Sequence, residues 1–124
     1  MSKTPKTINN RHQLGITGEE LAQNFLAKKG YRILTTNYRS RYGEIDIVCL
    51  DGDTVVFVEV KTRSSEKFGT PTEAVTFRKR NRLRQLAQMY LITHNLETYP
   101  VRFDVLSLIF SSTRIEIEHL IGAF

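Results

Sequence analysis

Four ionisable residues stand on two strand-like segments of GEIDIVCLDGDTVVFVEVKTR, residues 43–63: Glu44, Asp46, Glu59 and Lys61. Alternate side chains of a strand share a face. Glu44, Asp46, Val48 and Leu50 therefore line one face of the first segment, and Val55, Phe57, Glu59 and Lys61 one face of the second. The opposite faces are wholly apolar, so both strands read as buried on both sides with a polar end. A two-residue turn at Gly52-Asp53, with glycine first as a type II′ turn prefers, sets Leu50 against Val55 and Val48 against Phe57. Continued outward, the count sets Asp46 against Glu59 and Glu44 against Lys61. A four-residue loop keeps this register, and a three-residue loop breaks it. Opposed Cβ atoms in a sheet lie only ~4.5–5.5 Å apart, and like charges there repel. Glu44 and Lys61 neutralise one another in this register, but Asp46 and Glu59 either share a proton at raised pKa or hold a cation between them. A hard divalent ion with oxygen ligands meets that need, and Mg²⁺ commonly takes one or two carboxylates together with water and substrate phosphates. The plainer alternative is a set of exposed strand charges, with Glu44–Lys61 and Asp46–Arg39 or Arg41 as salt bridges. The site reading gains from the acid in register, the basic helix downstream and the basic chain.

The elements that must position these residues are legible from periodicity. TGEELAQNFLAKK, residues 17–29, is an amphipathic helix with Leu21, Ala22, Phe25 and Leu26 on one side, stopped by Gly30. Thr17 followed by Glu20 fits a capping box. YRILTTNYR is a short strand, and the two site strands run roughly over Glu44–Leu50 and Thr54–Thr62. The loop SSEKFGTPTEAV leads into a long helix, about Phe77–His94, whose inward stripe is Leu83, Leu86, Ala87, Tyr90 and Leu91. VRFDVLSLIF and RIEIEHLI are a final strand pair. The order αβββαββ predicts an α/β fold built on one mixed sheet, with residues 1–13 a flexible basic tail.

The chain's 124 residues fit one domain with a single core. Its longest apolar runs fall far short of the ~20 residues a membrane span needs. The start has basic residues but no apolar core of a secretory signal. One cysteine, Cys49, excludes an internal disulfide framework and a cysteine-rich zinc site, and reads as a small core residue. These features predict a cytoplasmic protein. A net charge of +5 and a pI near 9.6 suit a polyanionic partner. FRKRNRLR concentrates the charge, and Arg78, Lys79 and Arg82 are the candidate phosphate contacts; the alternative is a solvated helix face. His12, His94 and His119 are scattered, without metal-ligand spacing, and read as incidental. Tyr42 and Phe68 flank the predicted site and read as loop packing.

GEID followed by VFVEVKTR resembles the PD-(D/E)xK restriction-endonuclease-like nucleases, which carry an acid on one strand and E-x-K on the next. The ordered blocks TGEELAQNFLAKKGYRILTTNYR, GEIDIV, FVEVKTR and FGTPTEAV more closely resemble the YraN-like family of bacterial proteins, itself similar to archaeal Holliday-junction resolvases. The resemblance runs from about Leu14 to Asp104. It implies a restriction-endonuclease-like three-layer fold over residues 14–124, a central mixed sheet flanked by helices. Position by position, Asp46 matches the motif acid, Glu59 the second acid and Lys61 the lysine. Resolvase-like members also use a glutamate near the start of the first helix; of the adjacent candidates, Glu20 is accounted for as a cap and Glu19 lies on the flank of the apolar stripe, which selects Glu19. Ile45 stands where many such nucleases have proline. Gln85 and Tyr90 are one residue too far apart for the Q-xxx-Y motif of some relatives.

The resemblance implies a Mg²⁺-dependent (or Mn²⁺-dependent) endonuclease acting on DNA in preference to RNA, with branched or structured DNA among the candidate substrates; no lysine-arginine pattern in the chain itself marks a branched-DNA preference. Asp46, Glu59 and, through water, Glu19 would hold one or two ions. Lys61 would orient or deprotonate the attacking water, and Glu44 would tether Lys61. The alternative is a non-catalytic nucleic-acid-binding module that keeps the nuclease fold. Resolvase-like relatives act as symmetric dimers, so a homodimer joined through the final strands is a further expectation.

Overall fold

In the computed structural model, which describes residues 17–64 and 76–124, the elements follow the order αβββαββ. They are α1 (Gly18–Lys28), β1 (Arg32–Ser40), β2 (Gly43–Asp51), β3 (Thr54–Ser64), α2 (Phe77–Thr93), β4 (Val101–Phe110) and β5 (Ile115–Leu120). The predicted tail, Phe68 and most of the loop before α2 lie outside the described residues.

The strands form one five-stranded sheet in the order β1-β2-β3-β4-β5. Neighbours pair antiparallel except β3 and β4, which run parallel. That parallel pair needs a crossover, and α2 lies within it, as the βαβ rule requires. β5 is an edge strand.

Each face of the sheet carries one helix. Leu21, Ala22, Phe25 and Leu26 of α1 pack against Ile47, Cys49, Val56, Val58, Leu106 and Leu108. On the other face Leu83, Leu86, Ala87, Tyr90 and Leu91 of α2 pack against Val48, Val55, Phe57 and Val105. The result is the three-layer α/β/α arrangement of a restriction-endonuclease-like fold, and both predicted helix stripes face the sheet. Helix on either side leaves the central strands no wet face, which explains their apolar alternation on both sides.

The local signals act as the residue types dictate. Thr17 caps α1: its hydroxyl accepts from the Glu20 N–H at 3.2 Å while the Glu20 carboxylate returns to the Thr17 N–H. Gly52 opens the β2–β3 turn at φ 62, and the ladder runs from Asp51–Thr54 through Leu50–Val55 and Val48–Phe57, as the two-residue turn predicts. Cys49 is buried, and burial pushes its thiol up to about 12, a core role. Tyr90 is a core residue whose hydroxyl meets Thr35 Oγ1 at 2.6 Å.

Candidate functional site

The β2–β3 ladder stops at Ile47–Val58, although β2 begins at Gly43 and β3 continues to Ser64. Beyond that pair β2 is bonded only to β1 and β3 only to β4, so the strand ends part and leave a notch. Asp46 stands at the fork. Its Oδ2 accepts the Val60 N–H at 2.8 Å, so a side chain substitutes for the missing ladder carbonyl.

Two backbone features surround the fork. Asn37 adopts φ 53 in mid-strand, between the pairs Thr36–Ile47 and Tyr38–Ile45, hence opposite Asp46. Asparagine tolerates this left-handed region better than other side chains. Gly43 sits at φ 140, and a Cβ there would meet Arg82 Cδ at 3.1 Å and Leu86 Cδ1 at 3.3 Å. The glycine of GEID is thus required by conformation and by the close approach of α2.

The carboxylates of Asp46 and Glu59 meet in this notch, as the register predicts, although the two residues are not ladder partners. Burial pushes the Asp46 carboxyl up to about 6; the Val60 N–H opposes the shift, and neighbouring Glu59 and Glu44 add to it. Glu59 is only 5% exposed. Its Oε2 takes two ammonium groups: Lys61 Nζ at 3.5 Å, and Lys79 Nζ in direct contact. Burial and the adjacent Lys79 hold Lys61 below its ordinary value. Burial, the largest single influence, would lower Lys79, but the bond to Glu59, the contact with Lys61 and the charges of Glu59 and Asp46 together hold that ammonium above its ordinary value.

Lys61 therefore pairs with Glu59, and the predicted tether to Glu44 is corrected. Glu44 bonds Arg39 Nε at 2.9 Å, its cross-strand partner on β1. The prediction extended the β2–β3 ladder past the point where the strands separate.

Two cavities open at Asp46. One, of about 230 Å³, is bordered by Gly43, Glu44, Glu59, Lys79 and Arg82. The other, of about 480 Å³, is bordered by Thr17, Gly18, Glu19, Val60 and Thr62. Glu19 thus reaches the site's second side, as its flank position predicts, and the Asn37 amide donates to its Oε2 at 2.8 Å. Among the described residues no three acidic, histidine or cysteine side chains converge as a metal cluster. Asp46 and Glu59 alone form the compact donor set. Two carboxylates, one almost buried and already drawing cations, fit a hard divalent ion that completes its shell with water.

Of the candidate phosphate contacts, Arg78 and Arg82 are exposed on α2, while Lys79 turns inward to Glu59. A further cavity of about 370 Å³, bordered by Phe77, Arg78, Asn81, Arg82 and Gln85, adjoins the site through the shared Arg82. Tyr42 is exposed beside Arg41, whose guanidinium donates to its hydroxyl at 3.0 Å.

His119, incidental by its spacing, is buried. Lys29 Nζ lies 2.8 Å from His119 Nδ1, and His119 Nε2 lies 2.8 Å from Asp104 Oδ2. Because an ammonium only donates, Nδ1 accepts and Nε2–H donates to Asp104. Asp104, fully buried, also takes Arg102 Nε at 2.9 Å and the Gly122 N–H at 2.9 Å. Burial would raise the Asp104 carboxyl, but His119, Arg102 and the Gly122 N–H together hold it below the usual range. Asp104 pairs with Val58, one step along the ladder from Glu59, but it faces the α1 side of the sheet, opposite the side on which Glu59 meets α2, and Arg102 extends the network toward Asp51 at the β2–β3 turn. The only sequence signal was an aspartate in an otherwise apolar strand.

A family model described as "Uncharacterised protein family UPF0102" matches residues 18–108, which span α1, the fork and most of β4. The chain belongs to this family. It is 48% identical over 112 residues to a UPF0102 protein of Syntrophomonas wolfei, an alignment covering 90% of this chain and 97% of the relative. A UPF0102 protein of Alkaliphilus oremlandii is 46% identical over 114 residues, again 90% of this chain and 97% of the relative. A third, from Clostridioides difficile, is 44% identical over 117 residues, 94% of this chain and the whole of the relative. UPF0102 is the YraN-like family that the four sequence blocks resemble. Among the described residues no helix is long and apolar enough to cross a membrane.

Proposed function

We propose that this UPF0102 chain is a metal-dependent endonuclease that hydrolyses phosphodiester bonds in DNA, with branched or structured DNA as its substrate class. One observation carries the reading: at the parted ends of β2 and β3, Asp46 and the nearly buried Glu59 face each other with Lys61 on the same carboxylate. Asp46 and Glu59 would hold Mg²⁺ or Mn²⁺, and Glu19 would act from the second cavity through water. When bound, such an ion lowers the pKa of the attacking water and offsets charge on the phosphate oxygens. Lys61 Nζ, placed on the Glu59 carboxylate, is suited to orienting that water and offsetting the charge that develops on the phosphate. Arg78 and Arg82, exposed beside the notch, would grip the backbone without reading sequence. A homodimer joined through edge strand β5 would suit paired cuts across a branch.

The test incubates purified protein with linear, nicked and four-way DNA in Mg²⁺ or Mn²⁺ against EDTA. Metal-dependent cutting that Glu59→Ala and Lys61→Ala abolish is expected. Cutting that survives in those variants defeats the assignment. One observation favours the binding module instead: among the described residues, no third acid joins Asp46 and Glu59 in a metal-holding cluster. Retarded DNA with no cut strand in any metal would establish it.

A further inference from the structure

Glu59 Oε2 is shared by two ammonium groups that come from different layers. Lys61 is two residues along the same strand, whereas Lys79 reaches down from the first turn of α2. The Thr76 hydroxyl caps that turn by accepting the Lys79 N–H at 3.2 Å. The first turn holds no acidic residue, yet it carries Arg78, Lys79 and Arg80. Positive charge at a helix N-terminus opposes the helix dipole at a cost of ~0.3–1 kcal/mol per charge. Helix formation therefore does not explain a lysine here. Its contact does: Lys79 sits on the oxygen that a metal would use.

The two partners differ in freedom. Glu59 is fixed on a central strand and 5% exposed, while the Lys79 side chain is 37% exposed on a flexible four-carbon stem. Exchange of cations at Oε2 can thus occur by movement of the lysine alone. Once released, the ammonium remains at the rim of the cavity it shares with Arg82, which also borders the arginine-lined cavity on α2. A released Lys79 would there stand beside the exposed Arg82, a candidate phosphate contact.

We propose that Lys79 is the resident counter-cation of this site: it neutralises Glu59 in the metal-free protein, yields that position to a divalent ion, and then serves the substrate phosphate. The inference rests on the metal-site reading above and adds a positioning residue that competes for the metal's place.

The competition fixes the sign of the test. Mn²⁺ affinity is measured calorimetrically on the full chain without nucleic acid, for wild type, Lys79→Met and Arg82→Met. Removing a cation that must be displaced should tighten Mn²⁺ binding by ~10-fold or more in Lys79→Met, since one close ion pair of ~1.4 kcal/mol corresponds to tenfold. Arg82→Met removes a charge from the same cavity without freeing Glu59, and should tighten binding far less. Unchanged or weaker Mn²⁺ binding in Lys79→Met, or equal tightening in Arg82→Met, overturns the proposal and leaves the metal site standing. Absence of Mn²⁺ binding in wild type and Lys79→Met alike defeats the metal site and this inference with it. A wild-type measurement covers failure of the variant to fold: acetic anhydride labelling of Lys79, read by mass spectrometry, should rise several-fold on adding Mg²⁺ to EDTA-treated protein. Labelling that does not change overturns the displacement.

Discussion

Asp46→Asn should make the metal-free protein more stable at neutral pH. The Asp46 carboxyl titrates near 6 in the fold against an ordinary value of 3.8, with burial the largest cause. A raised folded pKa means that the native state holds a proton which the unfolded chain releases. The associated stability is fully present below about 4 and is lost as pH rises through about 6. At 1.36 kcal/mol per pKa unit, the gap sets a ceiling of ~3 kcal/mol on the cost of ionised Asp46 at pH 7.5. Asp46 opens on two cavities, so solvent screening reduces this to about 1–2 kcal/mol. Asparagine keeps an oxygen for the Val60 N–H and removes the charge. In EDTA at pH 7.5 the variant should melt about 3–8 °C above wild type, given the entropy of unfolding a chain of this size. The difference should shrink toward zero at pH 4. Saturating Mg²⁺ should reverse the order, because ligand at 100 times its dissociation constant adds ~2.7 kcal/mol to the form that binds it. A variant less stable than wild type at pH 7.5 in EDTA, or a difference that persists unchanged at pH 4, would refute the account of the fork as an electrostatic cost.

Three other outcomes follow from named contacts. Asn37→Ala should lose about 1–2 kcal/mol in urea denaturation, because alanine resists the φ 53 backbone, while Asn37→Gly should stay within about 0.5 kcal/mol of wild type. Replacing both Arg78 and Arg82 by alanine should weaken DNA binding and lower the slope of log affinity against log salt by up to ~0.9 per lost phosphate contact, measured by anisotropy across a salt series. Asp104→Ala should cost ~1–3 kcal/mol, since it leaves the buried His119 Nε2–H without its acceptor while Arg102 keeps Asp51. The stability that wild-type Asp104 supplies should be present above about pH 4 and fade on acidification, as its lowered carboxyl pKa requires.

Most of the fold was legible because period and caps are local. The stripe of α1, the Thr17–Glu20 box and the Gly52-Asp53 turn each needed only a few neighbouring residues, and together they set the register that brings Asp46 toward Glu59. The failures share one physical origin. Counting along a hairpin assumes an unbroken ladder, so Glu44 was matched to Lys61 where β2 and β3 have already parted. Lys79 on α2 meets Glu59 across two layers, and His119 meets Asp104 and Lys29 across three elements. Periodicity shows which side of an element faces inward, but not which side chain it finds there. Asn37 left a fainter trace, a turn-forming residue in the middle of a β-branched strand.

The positions where the chain departs from local rules converge on one place. A ladder ends early at Ile47–Val58, Asn37 takes a left-handed conformation opposite Asp46, Gly43 takes one beside Arg82, and α2 begins with basic residues against its dipole. Each departure costs stability, and a chain selected for stability alone would keep none of them. On the opposite face of the same sheet, one ladder step away, Asp104 is as deeply buried as Glu59, yet its oxygens are bonded to Arg102, His119 and Gly122. One fold therefore holds two buried acids under opposite treatment: one enclosed by fixed partners, the other left at a fork with a movable lysine as its nearest cation. Burial alone cannot explain the difference, because both carboxylates are out of water. On the proposed metal-site reading exchangeable partners explain it, since an acid that receives a guest cannot be permanently satisfied by its own fold.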